Sequence, residues 1–238
     1  FLMLWNNIRH DKNISDNLIK TEQILKKYDF WEDSIIIFCA DHGYPHPRRG
    51  FTPEGLISDG LTHDLILTDD NILIPLFIKT SKVVPREINE VVGTIDLFPT
   101  IIDYIEDDSI ANASQELPGR SIKHLIENTE TKNKYPLDLY YRCDSRFIGQ
   151  SDRKTAIRSQ NYKYIFNHDS ASEEFYDLMK DSGEDVDIIN NPEYQFEIEM
   201  HRNWFQTEEK FAISFQKDYA YRKIKNRINN NDNNQIII

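Results

Sequence analysis

Residues 34–40, Ser-Ile-Ile-Ile-Phe-Cys-Ala, run without a polar break into Asp41, His42 and Gly43. A short apolar run of this kind predicts a strand buried on both faces, as found in the middle of a helix-covered parallel sheet. In open α/β sheets the chemistry gathers at the carboxyl ends of the strands. There, a carboxylate and a neutral imidazole supply one oxygen and one nitrogen ligand, so the pair can face one metal ion without entering the core. Gly43 is expected to turn the chain with a positive φ. Asp-x-Gly at a strand end also serves as a plain turn. The segments that follow favour the metal reading.

The chain of 238 residues can bury a sizeable core, as one domain or a domain with a small appendage. A net charge of −12 argues against generic nucleic-acid binding, which needs a basic surface. It leaves an anionic substrate open, because a metal or a local Arg/Lys cluster reverses the field inside a cleft. No apolar run is long enough to span a bilayer. The two cysteines, Cys39 and Cys143, read as unpaired packing residues. The opening Phe-Leu-Met-Leu-Trp is too short for a signal peptide, and the chain reads as the later part of something longer.

Apolar residues at helical spacing between positions 6 and 28 predict a helix ending at Lys27, with Ser15 or Asp16 as its cap. The loop over 44–62 carries Pro45, Pro47 and Pro53 and the Arg48-Arg49 pair, and a loop of that length is expected to be functional or mobile. Residues 71–79 predict a second strand, with Pro75 confining part of it to an edge or a strand start. Asp69 and Asp70 are expected to open that strand and cap backbone N–H groups rather than hold a second metal. Residues 91–106 predict a helix capped by Asp96 with Pro99 in its first turn. A Pro-Gly loop over 114–120 and a short helix over 121–127 follow. Strands are expected over 137–147, 155–158 and 162–166, the last two joined as a hairpin through Ser159, Gln160 and Asn161. Residues 191–227 read as a helix, and the Asn-rich stretch 229–235 as a disordered tail.

Several of these segments, in this order, resemble the C-terminal half of the sulfatase family within the alkaline-phosphatase-like superfamily. Residues 34–43 look like the family's strand and Asp-His/Asn-Gly metal turn. Residues 69–78, Asp-Asp-Asn-Ile-Leu-Ile-Pro-Leu-Phe-Ile, resemble its acidic pair before a strand with a central Pro-Leu. Asp96, Leu97, Pro99 and Thr100 resemble its helix start, and Gly119, Arg120 and Ser121 its Gly-Arg-Ser loop. Residues 158–165, 175–178 and 181–184 resemble its closing hairpin and its Tyr-Asp-Leu and Asp-x-Gly-Glu ends. The likeness covers about residues 7–190.

The resemblance implies an α/β fold, an alkaline-phosphatase-like mixed sheet sandwiched by helices and present in part, with a small C-terminal antiparallel sheet plus helix subdomain. Residues 1–128 would be the later part of the catalytic domain, 129–190 the antiparallel subdomain and 191–238 a helical extension. It implies a metal-dependent sulfuric-ester hydrolase whose nucleophile is formylglycine, made from the Cys or Ser of a Cys/Ser-x-Pro-x-Arg motif. Neither Cys39, followed by Ala40 and Asp41, nor Cys143, followed by Asp144 and Ser145, fits that motif. The nucleophile and the first acidic metal ligands are therefore expected in an N-terminal half.

Carried onto this sequence, the family pattern makes Asp41 and His42 metal ligands, with Ca²⁺ favoured and Mn²⁺, Mg²⁺ or Zn²⁺ open. It makes His63 the general acid or an anion contact. Arg48 and Arg49 fall where a guanidinium could bind a sulfate group bidentately. His46 matches no family position, and His10, His124, His168 and His201 have no ligand spacing. The expected partner is a sulfate-ester small molecule or glycan, not a nucleic acid. The alternatives are a phosphodiesterase, phosphonate hydrolase or phosphoethanolamine transferase of the same superfamily, and a non-catalytic remnant or binding module.

Overall fold

The computed structural model describes residues 14–43, 66–81, 83–105, 119–129, 139–146 and 148–233. The chain divides into two units, one of residues 1–40, 75–89 and 94–132, the other of residues 41–74, 90–93 and 133–238.

In the first unit, helix α1 (Ile14–Lys27) places Asp16 in its first turn and Lys26 and Lys27 in its last, each complementing the helix dipole. It ends at the predicted residue, but it begins before Ser15 and Asp16, so neither caps it. Asp29, at φ 58, turns the chain out of the helix. Strand β1 (Ile36–Cys39) pairs antiparallel with β2 (Leu76–Lys79), with Ile36 opposite Lys79 and Cys39 opposite Leu76. β1 is thus shorter than the apolar run predicts. Its residues 36–38 are half-buried and Cys39 is exposed, so this pair does not form a strand covered on both faces. Cys39 is accordingly not a packing residue, although both thiols are unpaired.

The remaining core of this unit is a clamp. A 3₁₀ turn (Thr94–Asp96) leads into helix α3 (Leu97–Ile105), and helix α4 (Lys123–Glu127) follows; the earlier helix α2 (Asp69–Ile72) belongs to the second unit. Asp96, Thr100 and Asp103 recur at i, i+4 and i+7, one side of a helix. Each holds the loop before α4. Asp96 Oδ1 accepts from Arg120 N at 2.9 Å, Thr100 Oγ1 from Ile122 N at 3.0 Å, and Asp103 Oδ2 from Ser121 Oγ at 2.6 Å. Asp96 is fully buried and lies in the 3₁₀ turn that leads into α3. The predicted cap therefore has its carboxylate on a loop that follows 24 residues later. Gly119 is obligatory here. Its φ is +93°, and a Cβ would sit 2.2 Å from the carbonyl oxygen of Ile95.

The second unit is built on a four-stranded antiparallel meander, β3 (Tyr141–Asp144), β4 (Lys154–Arg158), β5 (Tyr162–Asn167) and β6 (Glu173–Asp177), in that spatial order. The predicted β4–β5 hairpin is present, with Ser159 N donating to Tyr162 O. Side chains alternate with the pleat. Ala156, Ile165 and Tyr176 face one side with Leu67 and Leu178. Ile157, Tyr164 and Phe175 face the other, under Ile198 and Phe205 of helix α5 (Gln195–Asn233). Burial on both faces, predicted for residues 34–40, belongs instead to these strands. His201 of α5 is buried, with Nε2 2.9 Å from Ser159 Oγ, and its ring meets Tyr140, Tyr162 and Phe175 edge-on. α5 runs on to Asn233, so residues 229–233 are helical where a disordered tail is predicted.

A charged cluster ties α5 to the sheet. Arg153 is nearly buried and binds both carboxylate oxygens of Glu209, at 2.9 and 3.0 Å. Arg142 donates to Glu209 at 2.6 Å and to Asp144 at 2.7 Å. Burial alone would raise the Glu209 carboxyl, but its bonds to Arg153 and Arg142 outweigh that and hold it from 4.5 down to about 2. A depressed carboxyl contributes stability above its unfolded pKa and loses it as pH falls through the folded one. Unfolding free energy should therefore fall as pH drops from about 4.5 towards about 2. In urea melts at neutral pH, Glu209→Gln should cost about 1–3 kcal/mol and flatten that acid limb. Gly119→Ala should cost about 2 kcal/mol or more.

Candidate functional site

Past β1 the chain reaches Asp41, His42 and Gly43, which belong to the second unit. Both side chains are well exposed to solvent, 57% for Asp41 and 41% for His42. The His42 amide donates to Asp41 Oδ1 at 3.0 Å, which turns the carboxylate back over the backbone. His42 Nδ1 lies 2.6 Å from the carbonyl oxygen of Gly43. A carbonyl can only accept, so Nδ1 carries the hydrogen, and in the neutral ring Nε2 holds the lone pair. Metal-ligating histidines are oriented in this way, by donating the second ring N–H to a carbonyl or carboxylate. Nε2 is 3.9 Å from Asp41 Oδ2, less than twice a metal–ligand distance of about 2.1–2.4 Å. The donor set thus fits two positions of one divalent ion. Among the described residues, no group of three or more His, Cys, Asp or Glu side chains could hold a metal.

Gly43 is needed for a different reason than its predicted positive φ. Among the described residues only Gly119 and Gly149 are positive-φ glycines. Gly43 instead lies against backbone: its N–H donates to Asn71 O at 2.6 Å, and a Cβ would sit 2.4 Å from Asp70 O and 2.9 Å from Asn71 O. The turn is pressed onto the single turn of helix α2.

The acidic pair therefore does not open a strand. Thr68 Oγ1 donates to Asp70 Oδ1, Asn71 N donates to Thr68 O at 2.9 Å, and Asn71 Nδ2 donates to Ile66 O at 2.6 Å. Asp69 points into the unit. Its Oδ1 is 2.5 Å from Lys163 Nζ, and Arg158 reaches its Oδ2 at 3.0 Å. Lys163 is wholly buried and also pairs with Glu184 at 2.7 Å. The other Glu184 oxygen accepts from Asp69 N at 2.6 Å. Burial works to raise the Asp69 carboxyl, but Lys163 and Arg158 together bring it below its ordinary value. Glu184 is raised, because burial there outweighs Lys163.

The sequence singles out neither Lys163 nor Glu184 as a site residue. The signal lies in the pleat: Lys163 shares its face of β5 with the buried Ile165, so its ammonium must be matched by carboxylates. Cys143 is excluded as a nucleophile, because burial and then Asp144 push its thiol up to about 11. Arg48, Arg49, His63 and His46 lie outside the described residues.

Residues 60–210 match the family described as "N-sulphoglucosamine sulphohydrolase, C-terminal". The chain belongs to the sulfatase family. Over 217 residues it is 24% identical to a Delta 4,5-hexuronate-2-O-sulfatase of Bacteroides thetaiotaomicron, covering 83% of this chain and 41% of that protein. A solved structure of a protein in complex with its substrate D-glucosamine-2-N,6-O-disulfate superimposes with TM-score 0.60 at 21% identity, over 84% of this chain and 38% of that one. A phosphonate monoester hydrolase of Agrobacterium radiobacter superimposes equally, with TM-score 0.60 at 19% identity over 83% and 39%. These likenesses establish the alkaline-phosphatase-like α/β fold. The chain spans 30–41% of the length of the curated relatives it matches.

Within this sulfatase chain, Gly43→Ala should cost about 1–3 kcal/mol in a urea melt, since a Cβ meets carbonyl oxygens that have no flexible end to yield. An unchanged midpoint would contradict the close approach of the two backbones.

Proposed function

We propose that this chain is the C-terminal part of a metal-dependent sulfuric-ester hydrolase, with Asp41 and His42 as two ligands of its metal. The observation that carries the reading is the His42 ring: Nδ1 is engaged by the Gly43 carbonyl, and Nε2 carries its lone pair within 3.9 Å of the Asp41 carboxylate. Ca²⁺ is the favoured ion, with Mn²⁺, Mg²⁺ and Zn²⁺ as alternatives. A bound divalent ion would act as a Lewis acid on the sulfuryl oxygen and orient the nucleophile. Asp41 would lower the net charge at the ion, and His42, oriented by its Nδ1 contact with the Gly43 carbonyl, would offer Nε2 to complete a mixed oxygen and nitrogen shell.

The remaining roles follow from the family pattern alone. His63 would protonate the leaving oxygen or contact the ester, and Arg48 and Arg49 would bind the sulfate group. The formylglycine nucleophile would come from a segment preceding this chain. The substrate class is a sulfate ester on a small molecule or glycan, in keeping with the disulfated glucosamine held by one structural neighbour. Phosphonate hydrolysis is the second reading, supported by the equal likeness to a phosphonate monoester hydrolase.

Calorimetric titration with Ca²⁺ and Mn²⁺ tests the metal site. Asp41→Ala and His42→Ala should each weaken binding at least about tenfold; unchanged affinity in both would remove the assignment. Alone, the 238-residue chain should not turn over an aryl sulfate. Turnover that disappears in Asp41→Ala would place the nucleophile within it.

A further inference from the structure

We infer that Lys163, with Asp69, Glu184 and Arg158, positions the Asp41–His42 turn through the carbonyl oxygen of Asn71. The inference rests on reading that turn as a metal site.

Helix α2 has four residues, too few to hold its own geometry. Its place is set from outside. Glu184 Oε2 takes the Asp69 N–H, one of the helix-start donors that lack an intrahelical partner. Lys163 spans the two carboxylates at 2.5 and 2.7 Å, and Arg158 holds Asp69 from a second direction. Three parts of the chain thus meet at the first residue of α2: β4 through Arg158, β5 through Lys163, and the 181–184 turn through Glu184. That turn is itself built, since Glu184 sits at φ 54 with its N–H on Asp181 O at 3.1 Å.

Two residues further on, α2 meets the metal turn. Asn71 O accepts from Gly43 N at 2.6 Å, and Asp70 O lies where a Gly43 Cβ would be. Asn71 is buried, and its side chain is tied to Ile66 O, so its carbonyl cannot swing independently. Gly43 O in turn receives His42 Nδ1–H, the bond that orients the imidazole. The path from the buried ammonium to the ligand ring is therefore continuous: Lys163, Asp69, the α2 backbone, Asn71 O, Gly43, His42.

Stability alone is a weak reason for this arrangement. A buried ion network often stabilises no more than apolar residues of the same volume would, whereas its directional contacts fix a geometry. Lys163 is thus a positioning residue: wholly buried between Asp69 and Glu184, it acts on the turn through Asp69.

The test is amide hydrogen exchange of the metal-free chain, read by NMR at Gly43 and, for comparison, at Ile157 and Tyr164 in β4 and β5. Glu184→Gln and Asp69→Asn keep side-chain size, and Lys163→Met removes the ammonium. In each, Gly43 exchange should accelerate at least tenfold while the two strand amides keep their protection. Glu209→Gln, which breaks the other ion cluster, should leave Gly43 unchanged. Unaltered Gly43 exchange in all three variants overturns the inference. So does a Gly43 amide already unprotected in the wild type, or protection lost evenly across the sheet in all three. Ca²⁺ titration separates this from the underlying reading: binding by the wild type that Asp41→Ala leaves intact would defeat the metal site while the exchange result stood.

Discussion

A lysine ammonium removed from water demands carboxylates, and Lys163 draws two of them together. Asp69 arrives from the start of a one-turn helix and Glu184 from a turn 115 residues later in the chain. Without the ammonium Asp69 would keep only Arg158 and Glu184 only the Asp69 N–H, and the two acids would repel. The geometry of everything attached to Asp69 follows: α2, the Asn71 carbonyl, and the Gly43 amide that rests on it. The two carboxyls respond differently to the same lysine. Asp69 also has Arg158 and falls below its ordinary value, while Glu184 has Lys163 against its burial and rises.

The other unit uses the same economy of short polar contacts on a smaller scale. Asp96, Thr100 and Asp103 take the Arg120 amide, the Ile122 amide and the Ser121 hydroxyl respectively. Gly119 completes the fit by letting its backbone approach Ile95. In both units a carboxylate from one segment takes a backbone amide of another, Asp96 that of Arg120 and Glu184 that of Asp69.

Much of this architecture was legible beforehand where the determinants are local. The end of α1 at Lys27, the hairpin through residues 159–161 and the helix after residue 191 follow from spacing and turn residues that act over a few positions. The apolar run at 34–40 misled because periodicity reports what a strand could bury, not what arrives to cover it; β1 and β2 form a half-exposed antiparallel pair. Asp69 and Asp70 misled for a related reason. Acidic residues before an apolar run read as caps, and nothing local reveals a lysine 94 positions on.

For the candidate site, the sequence by itself set out the donor types behind the proposed metal turn: an aspartate, a histidine and a glycine in succession. It could not determine the histidine tautomer, the reason for the glycine, or the residues that hold the turn. Those depended on which backbone carbonyls came within reach, at Gly43 O and Asn71 O. Only tertiary structure decides such contacts, because hydrogen bonds and carbonyl clashes act over about 3 Å of space irrespective of separation along the chain.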